Sequence, residues 1–277
     1  MAKITAADVN TLRKKTGAGM MDCKKALVEA DGDFDKAIEI LRKKGQKVAD
    51  KRADRDATEG CIIAKVNDDK NYAAAVYISC ETDFVAKNQD FIDFTTKICD
   101  LAVANGCTTA DEVKALDMDG LTVSERILEM LGKIGEKIEL ADFKAVKAPR
   151  TFAYIHPGNR LATIMGLNKA DVENIDTIGK EVTMQIAAMA PVAIDRDGVD
   201  QSIIDKEIEI GMEQARQEGK PEAMLERIAQ GKLNKFFKEN TLLNQAFVRD
   251  NKLTVGQYLK NADKDLTVTE FYRLALS

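Results

Sequence analysis

The sequence predicts an α+β protein. A small three-helix module precedes a core of two similar halves, each an antiparallel hairpin followed by a helix. Three observations carry this. Apolar residues between 5 and 45 recur at helical spacing in three short runs. Two pairs of apolar runs, at 61–80 and 152–167, are each split by turn residues and followed by an amphipathic stretch. Residues 200–240 carry sparse apolar positions at helical spacing on both sides of Gly219-Lys220-Pro221, which predicts a projecting helical hairpin.

In the first helix Thr5 and Asp8 have capping-box spacing, Val9 and Leu12 form the apolar side, and Thr16-Gly17-Ala18-Gly19 breaks it. Met20, Cys23, Leu27 and Ala30 mark the second helix, and Asp31-Gly32-Asp33 ends it and caps the third. Phe34, Ala37, Ile38 and Leu41 are the third helix's inner face. Arg42, Lys43 and Lys44 suit its last turn, and Gly45 is expected to end it. Lys47 to Asp56 mixes charges without apolar periodicity and reads as a linker or a solvated helical extension.

The first hairpin joins Cys61–Val66 to Tyr72–Cys80 through Asn67-Asp68-Asp69-Lys70-Asn71. Phe91, Phe94, Ile98, Leu101 and Ala102 line the following helix, which Asn105-Gly106 terminates. Two short helices follow, with capping-box pairs Thr109/Glu112 and Thr122/Glu125, then a strand over 138–146. The second hairpin joins Phe152–Ile155 to Leu161–Leu167, and its helix turns Ile178, Val182, Ile186 and Met189 inward. In the helical hairpin Ile203, Ile204, Ile208 and Met212 precede the break, and Met224, Ile228, Leu233 and Phe236 follow it. A helix at 255–260 and a strand at 266–274 close the chain. The expected divisions are 1–50 as a docking module, 51–58 as a charged linker, 59–147 and 148–277 as the two halves.

Composition narrows the function. With 277 residues and 45% apolar content the chain can bury a sizeable core. Forty-one basic against 46 acidic residues leave a net charge of -5, without the basic stripe of a nucleic-acid binder. Five cysteines lacking Cys-x-x-Cys spacing read as reduced thiols, and Met1-Ala2-Lys3-Ile4-Thr5 lacks a signal segment. A soluble cytoplasmic protein that meets no membrane is expected. The single histidine, His156, sits in a turn and reads as a surface or hydrogen-bonding group. No phosphate loop, nucleophile elbow, metal cluster or calcium loop is present in the sequence, so neither cofactor nor catalytic residue is expected. A thiol enzyme using Cys80 and His156 stays open on spacing alone, as does an adaptor with the core as scaffold.

One stretch stands apart. Ser79 to Asn88 leads from a strand into a helix and carries a large ring, Phe84, beside Asp83. Connections run over the surface, so the ring is either tucked into the core or kept out for a partner. The residues alone leave both open.

Thr16-Gly17-Ala18-Gly19-Met20-Met21-Asp22-Cys23-Lys24-Lys25-Ala26-Leu27 resembles the N-terminal signature of the translation elongation factor Ts family, and Thr82-Asp83-Phe84-Val85-Ala86-Lys87 its second. Lys133-Ile134-Gly135-Glu136, Tyr154-Ile155-His156-Pro157-Gly158 and Thr254-Val255-Gly256-Gln257 are similar to weaker family patterns in the same order. The resemblance spans nearly the whole chain. The chain stops soon after its last strand, without the extra helical module some members carry.

The resemblance implies a ubiquitin-associated-like N-terminal module. It also implies nucleotide exchange on elongation factor Tu, in both its GDP-bound and nucleotide-free forms. Thr82, Asp83, Phe84 and Val85 would then dislodge Mg2+ from the partner. Ile134, Gly135 and His156 would support that contact, His156 as a polar packing group. Val248 and Arg249 match a contact to a second partner domain, with Arg249 replacing an apolar residue. Met20, Met21 and Lys24 match the docking module's contact surface.

Overall fold

The computed structural model describes residues 3–276. Met1 and Ala2, part of the stretch read as lacking a signal segment, lie outside the described residues, as does Ser277. The fold is α+β with small antiparallel sheets and an N-terminal three-helix region.

That region comprises α1 (Ala6–Thr16), α2 (Met20–Glu29) and α3 (Phe34–Arg52). The Thr5/Asp8 capping box forms, and Gly17 adopts the left-handed conformation that ends α1. Val9, Leu12, Cys23, Ala26, Leu27 and Ala37 make a core of their own. Gly45 does not end α3, contrary to expectation; the helix continues to Arg52. The reason is packing. α3 crosses α7 (Val123–Ile134), and a Cβ on Gly45 would lie 3.2 Å from the Leu128 carbonyl oxygen. Val48 and Ala49, further along α3, pack on the core of the first half. The expected linker at 51–58 therefore begins only after Arg52.

Each half follows one plan. β1 (Glu59–Val66), β2 (Tyr72–Cys80) and β3 (Glu139–Lys147) form one antiparallel sheet with β2 central. β4 (Arg150–Ile155), β5 (Leu161–Leu167) and β8 (Val268–Ala275) form the other with β5 central. Each hairpin leads to a long helix, α5 (Gln89–Asn105) or α8 (Ile175–Met189). In the first sheet Cys61, Ile63, Ala74, Val76 and Ile78 face α5, while Ile62, Ala64, Ala73 and Ala75 face the other sheet's Ala162 and Ile164. Both faces are thus buried, which explains why these strands read as continuous apolar runs. Met165 and Leu167 pack with Ile178, Val182 and Ile186 of α8. Met189 is exposed, contrary to expectation, because it lies in the last turn before Ala190 reverses the chain in the left-handed region.

Between α5 and α7 lies α6 (Ala110–Ala115), with both expected capping boxes formed. α9 (Gln201–Gln217) and α10 (Glu222–Asn240) form the helical hairpin. Ile203, Ile204, Ile208, Leu233 and Phe236 pack together near its base. Gly211, Ala215, Leu225 and Ala229 are buried, while Met224 is exposed. Small residues let the two helices approach closely: a Cβ on Gly211 would lie 3.1 Å from the Ala229 Cα. At its base Leu233 and Phe237 pack with Ala193 and Val199, and its turn is exposed throughout. A small ribbon of β6 (Ala246–Phe247) and β7 (Asp250–Thr254), unforeseen in the sequence, precedes α11 (Val255–Ala262).

Candidate functional site

β2 ends at buried Cys80, opposite Glu59 at the start of β1. The connection to α5 then makes a single helical turn, α4 (Asp83–Ala86), which strand-and-helix periodicity did not reveal. The Ala86 N–H donates to the Thr82 carbonyl at 3.2 Å and the Lys87 N–H to that of Asp83 at 3.0 Å. Val85 and Ala86 turn inward onto the core of the first half. Phe84 therefore points out, with 84% of its surface exposed. The core-plug alternative falls here.

Asp83 accepts a bond from Lys87 Nζ at 2.6 Å, one turn on. That bond holds its carboxyl below the ordinary carboxylate range. Thr82 sits at the N-cap, yet its hydroxyl does not cap α4. Its N–H and hydroxyl both donate to Glu136, at 3.0 and 2.7 Å. Glu81 accepts the Lys137 N–H at 2.6 Å. These carboxylates escaped the sequence reading because their partners are 54 and 56 residues away.

Glu136 follows two expected site residues. Ile134, the last residue of α7, is half-buried against the first core. Gly135 has φ +82 and donates its N–H to the Leu131 carbonyl at 2.7 Å, a left-handed C-cap that favours glycine. His156 lies in the β4–β5 turn. It is an exposed, hydrogen-bonding group, with Nδ1 3.0 Å from the Tyr154 hydroxyl. The Ile62 N–H donates to Asn159 at 2.8 Å, and Arg160 pairs with Glu59, which pins this turn to β1. The Arg160 charge is favoured chiefly by its bond to Glu59, with a smaller contribution from Asp83. The 82–85 turn, the end of α7 and the β4–β5 turn thus gather where β1 begins and β2 ends.

The other expected residues sit elsewhere. Met20, Met21 and Lys24 are exposed on α2, joined by Val28, which the sequence reading passed over. Val248 and Arg249 form the turn between β6 and β7. Val248 is 52% exposed, and its N–H donates to Gln185 Oε1 at 2.9 Å. Arg249 Nε lies 3.2 Å from Glu181, whose other oxygen accepts the Tyr258 hydroxyl at 2.5 Å. Tyr258 in turn stacks on Phe247, with centroids 4.1 Å apart.

All five cysteines are buried and free. Burial pushes Cys61 up to about 11 and Cys80 and Cys99 up to about 12. Such thiols are poor nucleophiles at neutral pH. Among the described residues no helix is long and apolar enough to cross a membrane, and no group of three or more His, Cys, Asp or Glu is placed to hold a metal ion.

The comparisons agree with one another. The family model described as Elongation factor TS matches residues 81–277. A protein of Christiangramia forsetii named Elongation factor Ts is 54% identical, with all of each chain covered. Its counterpart of Amoebophilus asiaticus is 56% identical over 98% of both chains. That of Bacteroides thetaiotaomicron is 42% identical, covering 99% of this chain and 98% of its own. The chain belongs to the elongation factor Ts family and is a translation elongation factor.

Proposed function

We propose that the chain is a guanine nucleotide exchange factor that binds elongation factor Tu carrying GDP and accelerates GDP release. The observation that carries this reading is the outward Phe84 on a braced one-turn helix. A solvated ring at that position invites burial in a partner. Asp83 and Phe84, on a loop shaped by Thr82 and Val85, enter the partner's nucleotide domain and displace its Mg2+, which is the main counter-charge of the bound phosphates. A protein that binds the nucleotide-free partner most tightly weakens nucleotide binding by the same factor. No covalent step is required, and the chain acts as a binding protein in the cytoplasm.

Ile134, Gly135 and His156 border the same contact. Met20, Met21 and Lys24 dock the N-terminal module, proposed as residues 1–50, and Val248 and Arg249 meet a second partner domain. The test is rapid mixing of the chain with elongation factor Tu holding a fluorescent GDP. The expected result is a release rate that climbs with factor concentration and saturates. A complex that forms without faster release would replace this reading by an adaptor role.

A further inference from the structure

Glu81 and Glu136 each hold the residue that follows the other. Glu136 takes both the N–H and the hydroxyl of Thr82, at 3.0 and 2.7 Å, while Glu81 Oε1 takes the N–H of Lys137 at 2.6 Å. The two segments are thereby closed into a reciprocal clasp. The second oxygen of Glu81 accepts from Arg52 Nη1 at 2.7 Å, and the Glu81 side chain is only 14% exposed. Arg52 is the last residue of α3. Beside it, Lys137 Nζ donates to the Ala53 carbonyl at 3.2 Å. The three-helix region is therefore bonded directly to the segment that carries Phe84.

α4 needs such bracing. A helix of four residues is far too short to sustain itself. Its inward residues, Val85 and Ala86, are only half-buried. Its direction must then be imposed from outside, and Thr82, the residue that enters it, is where the carboxylate grips. Bonds to an ionised acceptor are the stronger kind. A ring held in place before binding also loses less freedom on entering a partner.

We propose that Glu136, Glu81 and Arg52 are positioning residues for Phe84, and that Arg52 couples the N-terminal module to the loop. This rests on the exchange reading above and adds to it the groups that set the ring's direction.

The test uses the full chain and two readouts: ¹⁵N relaxation of the free protein, and the limiting rate of GDP release from elongation factor Tu. In the wild type the amides of 82–87 are expected in the rigid range, with order parameters of about 0.85, and in Glu136→Ala below about 0.6. The limiting release rate should fall about tenfold or more, as for loss of a charge-assisted bond. The half-saturating concentration should stay within about twofold, because the other surfaces still dock. Glu136→Gln, which can accept from the N–H and donate to the hydroxyl, should restore both readouts. Arg52→Ala should loosen the same amides and lower the limiting rate. Should Glu136→Ala fail to fold, Thr82→Val removes the hydroxyl bond alone and should give a partial loss of order. Rigid 82–87 amides in whichever of these two variants folds would overturn the clasp, and unchanged amides in Arg52→Ala would overturn the coupling. A wild-type chain that does not stimulate release would sink the exchange reading, yet the relaxation comparison would still decide the clasp.

Discussion

The two halves share an architecture and differ in what their strand-to-helix connection displays. In both, the residues just past the central strand are pinned to the segment that leads into the closing strand. Thr82 bonds to Glu136, which precedes β3. In the second half the Asn168 N–H donates to the Thr267 carbonyl at 3.1 Å, and Asn168 Oδ1 accepts the Thr267 N–H at 2.9 Å, just before β8. Lys169 adds an ion pair to Asp263 at 2.7 Å. Beyond the pin they diverge. The second connection turns Val172 inward onto its own core, whereas the first turns Val85 inward and leaves Phe84 outside. The shared scaffold thus supplies placement, and a single outward aromatic distinguishes the first connection from the second.

The most forceful way to break that comparison is Phe84→Ala. The exposed ring should cost the free protein little stability, with its melting temperature close to wild type. In the complex a buried aromatic contact is lost, on the order of 1.5–3 kcal/mol, which slows stimulated GDP release about 10- to 150-fold. A large drop in melting temperature with normal release by the folded fraction would return Phe84 to a structural role.

Val172→Ala should behave in the opposite way. The side chain packs against the second core, so its truncation should cost about 1 kcal/mol and lower the melting temperature by a few degrees. Release by the folded protein should be unchanged. A selective loss of exchange here would mean that both connections meet the partner.

Cys80 ends β2 as Leu167 ends β5, each buried at the foot of its connection. Cys80→Ala should lower stability by about 1 kcal/mol or less and leave exchange intact, since the thiol packs as a small group and adds only a weak bond, Sγ to the Thr82 carbonyl at 3.2 Å. Native labelling with a thiol reagent should be slow for all five cysteines. Fast labelling of Cys80, with loss of exchange in the folded alanine variant, would revive thiol chemistry.

The smallest effect concerns Asp83, whose pairing with Lys87 has no counterpart found in the second connection. Its carboxyl is lowered in the folded state, chiefly by the Lys87 bond. Its contribution to α4 is therefore present above the ordinary carboxylate pKa and disappears as pH falls through the lowered folded value. Order parameters of 83–87 followed from neutral to acid pH should decline in that window, and Asp83→Ala should abolish the dependence. Because the pair is exposed, added salt should weaken it too.

Much of the chain was legible from one dimension. The three Thr-led capping boxes, at Thr5, Thr109 and Thr122, are local, since a side chain three residues away completes each of them. Both hairpins were legible because turn residues interrupt β-rich apolar runs. The Thr82-to-Val85 stretch was singled out by an aromatic on a connection, and by resemblance. Gly45 misled because a glycine that ends a helix and one that admits a neighbouring helix look alike in sequence. Met189 and Met224 misled because size and apolarity do not say which turn of a helix has a neighbour.

The sequence by itself determined most elements and their order, because periodicity, caps and turns are set by residues within a few positions of each other, and its motifs carried the resemblance to the family. Only the tertiary structure decided which way Phe84 points, that α3 continues through Gly45 onto α7, and that Glu81, Glu136 and Arg52 meet around Thr82. Those outcomes depend on groups 29 to 56 residues apart, or on a facing helix, and no local pattern encodes such distances.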